Sequence, residues 1–451
     1  MILRERMKYF FKRNILMIGY LFVTQMAGAQ VIHEFTVQQA VVYAMKNSVQ
    51  VKNALLDIQV QRQTNKEITS ATYPQVNANG SFTNFLDIPT SLLPAEITGG
   101  PPGTYIPIAF GTKYNATGGF DINQLLFDGQ VFIGLQARAS SIRFFEKQAD
   151  VTRERIKINV QKIYYQLVVG AQQKNAIIAN IERFEKLLFD TKEIYKNGFA
   201  ERLDVDKVSV QLNNLITENI KIKNQLDAGK AGLKFLLNMP QKDSLVLVDS
   251  ISEDQLKENI LDSSVNYSNR KEYNLLEEAI KLNEYNIRRY KLSYLPTVSA
   301  FYNYSRNAQR TEFDFLKSGR PWFPTSLVGL RINVPLFDGF AKKARLTKAR
   351  LELERTRNNM EQLSSSIDRD VADANLKIRS ALLTIDNQRQ NMQLAESVYN
   401  TTKKKFEEGL GSNQEIYNAQ TELKVAQTNY YSALYDAVIA RIDYLAATGK
   451  L

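Results

Sequence analysis

The chain has no cysteine among its 451 residues. This absence excludes disulfide bonds, thiolate metal sites, cysteine nucleophiles and the acylation of a lipoprotein. The single histidine, His33, has no second imidazole with which to hold a metal ion. No glycine-rich phosphate cradle is present, and acidic pairs such as Glu277-Glu278 are typical of solvated helix faces. The sequence therefore predicts neither an enzyme nor a protein with a metal or cofactor.

Long apolar runs are also lacking, because no stretch reaches the ~18 apolar residues of a membrane-spanning helix. One shorter run follows five basic residues and precedes Ala27-Gly28-Ala29, a small-residue cleavage site. This order is typical of a secretory signal peptide at residues 1–29. The segment carries those five bases and Glu5, a net +4, so the formal charge of +11 falls to about +7 without it. The remaining charges are interspersed, whereas nucleic-acid binding needs clustered ones.

The most informative feature present is a repeat. Leu126-Phe127-Asp128-Gly129 recurs as Leu336-Phe337-Asp338-Gly339, and Tyr73-Pro74 has a counterpart in Leu295-Pro296. Each copy reads as a helix, two strands, a very long helix, a tight turn and another helix. We predict a first repeat at residues 30–240, a connecting segment at 241–266 and a second repeat at 267–451.

A proline ends the opening helix of each repeat, because it removes a hydrogen-bond donor and clashes with the preceding turn. These helices are predicted from Thr36 to Ala71 and from Arg270 to Tyr294. Loops rich in glycine and proline separate the two strands of each repeat, at Pro89 to Gly111 and Ala308 to Pro324. Since exposed loops tolerate insertions, the difference in length between the repeats falls there.

The strands alternate between apolar and polar residues, with Phe301 as an exception. A period of two is typical of a half-solvated antiparallel sheet, and equally of a transmembrane β-barrel. A soluble sheet therefore stays open as an alternative. The apolar positions are Val76, Ala78, Gly80 and Phe82; Tyr114, Ala116, Phe120 and Ile122; Val298, Ala300, Tyr302 and Tyr304; and Val328, Leu330, Ile332, Val334 and Leu336.

The long helices predict extended packing. At about 1.5 Å per residue each would be on the order of 100 Å long, so it needs partners along its length. Apolar residues recur at alternating spacings of three and four, which is coiled-coil periodicity. The helices after the two tight turns are in phase with each other. Their equivalent positions are Val205, Val208, Leu212, Leu215, Asn219 and Ile222, and Ile416, Ala419, Leu423, Ala426, Tyr430 and Ala433.

Four strands from one chain cannot close a barrel, and an open sheet edge in lipid leaves backbone groups unsatisfied. Membrane-embedded strands would therefore need several copies of the chain. Three copies would give twelve strands, an even number within the range that leaves a channel. Two other interpretations stay open: a periplasmic structural or adhesive coiled-coil protein with a soluble strand cap, and a periplasmic adaptor.

Taken together, the signal peptide, the duplicated units, the Tyr-Pro and Leu-Pro strand entries, the Leu-Phe-Asp-Gly exits and the glycines at the turns resemble the TolC-like outer-membrane efflux channels. The resemblance covers nearly the whole mature chain. It implies a mainly α fold with a membrane β-barrel part, built as a homotrimeric 12-stranded barrel in outer-membrane lipid and continued by a periplasmic α-helical coiled-coil barrel. It also implies a passive exit duct of a tripartite efflux or type I secretion system, with a periplasmic adaptor, an inner-membrane transporter and no cofactor.

The resemblance further implies site residues. Glu415 matches a pore-facing acid of the family's constriction, whereas Asn418 stands where the family has a second acid. Asp204 holds the corresponding place in the first repeat. Gly411 replaces an arginine that forms an ionic gate contact, and Phe406 replaces a tyrosine whose hydroxyl serves the gate. Without the resemblance, Asp204 and Glu415 read as helix-start acids near a favourable dipole end.

Two further sets follow from the same resemblance. The adaptor-contacting tips would be Gly198, Phe199, Ala200, Gly409 and Leu410. The structural residues at strand entry and exit would be Pro74, Asp128, Gly129, Pro296, Asp338 and Gly339.

Overall fold

The computed structural model describes residues 32–251, 256–257 and 266–451. The predicted signal peptide and part of the connecting segment lie outside these ranges. The chain forms two compact units, and each takes segments from both repeats. The helical unit comprises the described residues up to Ala54, Ala149–Lys271 and Ser364–Leu451, and the sheet unit comprises Leu55–Gln148 and Glu272–Leu363. The boundaries of the repeats themselves stay a prediction.

The helices follow the predicted order with one break. Ser48 leaves the helical region of backbone space (φ −54°, ψ 131°), so the first predicted helix is two helices. Serine readily occupies such a boundary, because it is among the residues favoured at helix starts. Among the described residues, no helix is both long and apolar enough to cross a membrane. The helices are α1 Val37–Asn47, α2 Val49–Ser70, α3 Gly129–Lys196, α4 Arg202–Leu237, α5 Lys271–Leu292, α6 Ala341–Glu407 and α7 Asn413–Thr448.

The strands of the described residues form three separate sheets. The main sheet belongs to the sheet unit and has the order β2-β5-β7-β8, with every neighbouring pair antiparallel. A short hairpin, β3-β4, lies within the first loop, and β1 pairs in parallel with β6 in the helical unit. The strands are β1 Ile32–Phe35, β2 Gln75–Asn84, β3 Thr90–Pro94, β4 Tyr105–Ala109, β5 Tyr114–Phe127, β6 Ser244–Leu247, β7 Thr297–Arg310 and β8 Phe323–Asn333.

The register of the main sheet confirms the predicted alternation. Ala78, Phe120 and Tyr304 lie directly opposite one another across three strands. Directly paired residues of antiparallel strands share a face, so these side chains form part of one apolar surface. On the opposite face, the Asp121 carboxylate accepts hydrogen bonds from the amides of Asn79 and Asn303. The sheet therefore has one apolar and one polar face.

Phe301, the exception in the pattern, lies on the polar face opposite Gly329. A Cβ atom on Gly329 would come within 2.7 Å of the Phe301 ring, so the glycine provides the space that the ring fills. The Arg331 guanidinium lies over the same ring, 5.2 Å from its centroid. The aromatic residue is thus accommodated locally without a shift of register.

Two strand boundaries differ from the prediction. β8 ends at Asn333, so Val334 and Leu336 lie beyond the strand. Pro335 between them has no N–H and cannot continue the ladder. The second loop is also shorter than predicted, because β7 continues to Arg310 and β8 begins at Phe323.

The coiled-coil pattern is confirmed in the helical unit, where the predicted seam positions are largely buried. Gly170 of α3 and Gly229 of α4 add close contact: Leu226 packs against the first and Leu167 against the second. The polar seam residue Asn219 is half-buried, and its side-chain oxygen has no hydrogen-bond partner among the described residues. The buried seam positions are Val208, Leu212, Leu215, Ile222, Ile416, Ala419, Leu423 and Ala433.

Tyr164 ties the start of the described chain to the helical unit. Its side chain is fully buried, and its hydroxyl donates to the Phe35 carbonyl (2.8 Å) and accepts from the Asp249 N–H (3.3 Å). The Asp249 carboxylate accepts from the Val37 N–H at the start of α1 (2.7 Å). Burial raises the pKa of Tyr164 above its ordinary value of 10.0, and the Asp249 charge adds to this effect.

We expect Tyr164→Phe to destabilise the protein by about 1–3 kcal/mol, because it removes the hydroxyl that accepts from the Asp249 N–H and donates to the Phe35 carbonyl. The raised pKa means that neutral Tyr164 stabilises the fold fully below pH 10 and that this contribution is lost as the pH rises further. Thermal unfolding followed by circular dichroism between pH 7 and 11 measures both effects. Tyr195→Phe, at an exposed position on the same helix, is the control. Equal losses in the two variants would contradict the assignment.

Candidate functional site: the tips of the two helical hairpins

The two hairpin tips are built in the same way. Gly198 follows α3 and Gly409 follows α6, with φ of 80° and 74°. These left-handed conformations suit glycine, which has no Cβ to clash. After each glycine the next N–H bonds back to the helix, from Phe199 to the Ile194 carbonyl (3.0 Å) and from Leu410 to the Lys405 carbonyl (2.8 Å). This is the Schellman pattern of helix termination.

Each tip presents a large apolar side chain. Phe199 is 86% exposed and Leu410 is 77% exposed. The residue after a Schellman glycine frequently packs back onto its own helix, but these two side chains do not. Ala200 beside Phe199 is half-buried. The tips therefore offer apolar surface to a partner.

Asp204 and Glu415, which hold corresponding places in the two repeats, have different surroundings. The Asp204 carboxylate accepts a hydrogen bond from the Glu201 N–H (3.3 Å) at the start of α4, and Asp204 is half-buried. At the start of α7, Ser412 caps the helix by accepting from the Glu415 N–H (3.2 Å). The Glu415 side chain is exposed and has no ion pair or hydrogen bond within the described chain. Asp204 thus helps to hold its helix start, whereas the Glu415 charge is free.

Asn418 belongs to a polar link between the hairpins. Its side-chain oxygen accepts from the Gln414 amide (2.8 Å), and the Gln414 oxygen accepts from the Lys207 ammonium group of α4 (3.1 Å). The residue that replaces the family's second acid is therefore neutral and hydrogen-bonded. The resulting chain of contacts joins α4 to α7.

Phe406 and Gly411 are both closely packed at the second tip. Phe406 is half-buried against an apolar cluster near the tips. A Cβ atom on Gly411 would approach the Phe406 backbone nitrogen to 3.1 Å, and the Gly411 N–H bonds to the Lys405 carbonyl (3.0 Å). The turn therefore fits closely at a glycine. The buried members of this tip cluster are Phe184, Leu187, Val208, Leu212, Leu215, Tyr399, Ile416, Ala419 and Leu423.

Sequence reasoning missed the polar contacts that join the two hairpins. The buried Thr191 donates to the Asn413 side-chain oxygen (3.1 Å). Lys424 pairs with Glu218 (2.8 Å), a contact between α7 and α4. The common phase of the hairpins indicates that they pack together, but a single sequence does not say which side chains meet.

The predicted strand-entry and strand-exit residues belong to the sheet unit, whereas the tips belong to the helical unit. Pro74 and Pro296 directly precede β2 and β7. Asp128 accepts from the Gln130 N–H (2.7 Å) at the start of α3, and Asp338 accepts from the Lys342 N–H (3.0 Å) in α6. Gly129 lies against Leu292, whose Cβ would be 2.7 Å from an added Cβ, whereas Gly339 has a φ of 64°.

Comparison with known proteins agrees with this geometry. The family model described as "Outer membrane efflux protein" matches residues 275–450. TolC of Vibrio cholerae is 19% identical over 337 residues, 74% of this chain and 76% of its own. The efflux protein BepC of Brucella suis is 21% identical over 442 residues, 95% and 88% of the two chains. The alkaline protease secretion protein AprF of Pseudomonas aeruginosa is 20% identical over 348 residues, 73% and 67%.

The chain is similar to the TolC-like outer-membrane efflux proteins, and its residues 275–450 match the model of that family. The predicted resemblance is confirmed. Members of this family are outer-membrane channels rather than enzymes, which places this chain in the outer membrane and confirms that it is not an enzyme.

Solved structures show the same fold. The CmeC outer-membrane channel of Campylobacter jejuni superposes with a TM-score of 0.74 at 16% identity, covering 92% of this chain and 85% of CmeC. The VceC outer-membrane protein of Vibrio cholerae gives a TM-score of 0.70 at 14% identity, covering 92% and 96%. The predicted fold class is therefore confirmed at the level of the single chain.

We expect Asp204→Ala to loosen the first turn of α4, because it removes a helix-start hydrogen bond worth about 1 kcal/mol. Glu415→Ala removes no such contact and should leave the start of α7 intact. Amide hydrogen exchange at residues 202–206 and 413–417 distinguishes the two outcomes. Similar exchange rates in both variants would contradict the different surroundings of the two acids.

Proposed function

We propose that the chain is the outer-membrane exit duct of a tripartite efflux or type I secretion system, assembled from three copies. The observation that carries this proposal is the main sheet, which has one apolar face, one polar face and two free edges. An apolar face suits lipid and a polar face suits a water-filled lumen.

The edges of the sheet support closure between copies. β2 and β8 are the outer strands, and each has a neighbour on one side within the chain. Because the four strands alternate in direction, β8 of one copy can pair with β2 of the next in antiparallel fashion. Three copies then give a 12-stranded barrel without an open edge, as a membrane-embedded sheet requires.

The helical unit supports the periplasmic part of the duct. Its two hairpins carry coiled-coil seams and pack together through the tip cluster. Three copies would supply six hairpins around one axis, forming the proposed α-helical barrel. A signal peptide at residues 1–29 would direct the chain out of the cytoplasm. Transport through such a duct is passive, and an inner-membrane transporter would supply the energy.

The tips are the proposed contact for the periplasmic adaptor. Phe199 and Leu410 expose apolar surface at equivalent places in the two hairpins, next to Gly198 and Gly409. Exposed apolar patches of this kind mark protein–protein contacts. Ala200 completes the first tip.

The proposed constriction lies just beyond the tips. Glu415 supplies a free carboxylate, and copies around one axis would bring three of these charges into a narrow ring that attracts cations. Asp204 adds a second carboxylate that also holds the start of α4. Asn418, Phe406 and Gly411 shape the gate through hydrogen bonding and packing instead of an ionic latch.

The assembly can be tested by fractionation. We expect the protein in outer-membrane fractions as a band of trimer size that converts to monomer on heating in detergent. The unheated sample is the control. Release with the soluble periplasmic contents would refute the membrane assignment and favour a periplasmic coiled-coil protein.

Conduction can be tested in planar bilayers. We expect a low-conductance, mostly closed pore that opens further when Asp204 and Glu415 are replaced by alanine, because the substitutions remove charge from the proposed constriction. Glu354→Ala, at an exposed acid of the sheet unit, is the control and should leave conductance unchanged. A complete absence of pores would count against the duct.

A further inference from the structure

Arg306 places a charge on the apolar face of the main sheet. In the register, Arg306 of β7 lies opposite Gly118 of β5 and Pro324 of β8, and Gly118 lies opposite Gly80 of β2. The rows on either side, one containing Phe120 and Tyr304 and the other Phe82 and Ala308, belong to the apolar face. An exposed guanidinium on this face calls for an anionic partner.

No acidic residue of the described chain pairs with Arg306. Its Nε atom donates to the Tyr304 hydroxyl (3.1 Å), which leaves the two terminal nitrogens of the guanidinium available. The nearby bases Arg310 and Arg320 differ, because both pair with the buried carboxylate of Asp314 (3.1 and 2.6 Å). Arg306 is therefore oriented by a neighbouring side chain and still has free donors.

The row that carries Arg306 is also open. Gly80 and Gly118 have no side chains, and a Cβ atom on Gly118 would meet nothing within 4 Å. Phe82 and Phe120 lie on opposite sides of these glycines. The glycines thus form the floor of a shallow groove that leads along the sheet to the guanidinium.

Aromatic side chains indicate where this groove lies relative to the membrane–water interface. Phe82 stacks on Tyr114 with ring centroids 6.2 Å apart, and Phe313 and Phe315 of the second loop pack against Phe82 at 5.8 and 5.7 Å. Trp322 joins this aromatic cluster through Phe315 (6.1 Å). Aromatic residues gather at the membrane–water interface, where an arginine on the lipid face costs far less than at the midplane.

We propose that Arg306 and the groove over Gly80 and Gly118 bind the phosphate-bearing headgroup of an outer-membrane lipid. A guanidinium offers two parallel N–H donors that match phosphate oxygens, and Tyr304 holds it in a fixed direction. The lipid is the occupant because the charged group lies within the face that meets lipid, next to the interfacial aromatic cluster. This inference rests on the proposed function, which assigns the apolar face to the membrane.

Trp322 is the single tryptophan of the chain and lies close to Pro324, the β8 partner of Arg306, so it reports on this site. The full-length protein is reconstituted in phosphatidylcholine vesicles that contain brominated phosphatidic acid or brominated phosphatidylcholine. Bromine quenches tryptophan fluorescence on contact. We expect phosphatidic acid to quench at about ten-fold lower mole fraction, as a charge-assisted bidentate contact would give.

Arg306→Gln should abolish this preference. Arg306→Lys should keep part of it, because lysine retains the charge but lacks the two parallel N–H donors of the guanidinium. Arg331→Gln is the matched control on the polar face and should keep the preference. An unchanged preference in Arg306→Gln, an equal loss in Arg331→Gln, or displacement of the lipid by millimolar inorganic phosphate would overturn the lipid site. Quenching by neither lipid would instead refute the proposed membrane position of the sheet, and the site with it.

Discussion

The pairing of backbone groups at the two free edges of the main sheet is the constraint on which the proposed assembly depends. A strand edge exposed to lipid leaves N–H and C=O groups without water or protein partners, and each such group is costly. β2 and β8 carry these edges, and the apolar face prevents the sheet from being fully solvated. The proposed association of copies would solve both problems at once, and oligomer formation and membrane insertion would then be one requirement.

In the proposed duct the helical unit has a different requirement, since its tips would have to be held together and still be able to move. Apolar packing in the tip cluster joins the two hairpins, and polar contacts such as Thr191 to Asn413, Lys207 to Gln414 and Lys424 to Glu218 add to it. Ion pairs and amide contacts near the surface contribute little stability individually. An arrangement of this kind can be rearranged by a modest binding free energy, which suits a gate opened by a partner.

Local periodicity made most of the fold predictable from the sequence. Apolar residues at every second position predicted the faces of the strands, and apolar residues at spacings of three and four predicted the helical seams. Each pattern indicates which side of the element is buried. Details that depend on tertiary contact were not accessible. Ser412 and Glu415 form the sequence pattern of a capping box, yet it is the Asp204 carboxylate that bonds to a helix-start N–H. The β1-β6 pairing likewise joins residues that lie far apart in the sequence.

The interleaving of the repeats in the two compact units has a consequence for biogenesis. Each unit is completed only by a segment from the second half of the chain, Glu272–Leu363 in one and Ser364–Leu451 in the other. A polypeptide that crosses the inner membrane from its N-terminus therefore cannot finish either unit until nearly all of it has been exported. During that interval the unpaired strands are exposed to aggregation. Periplasmic chaperones that hold extended chains would thus be needed before any trimer forms.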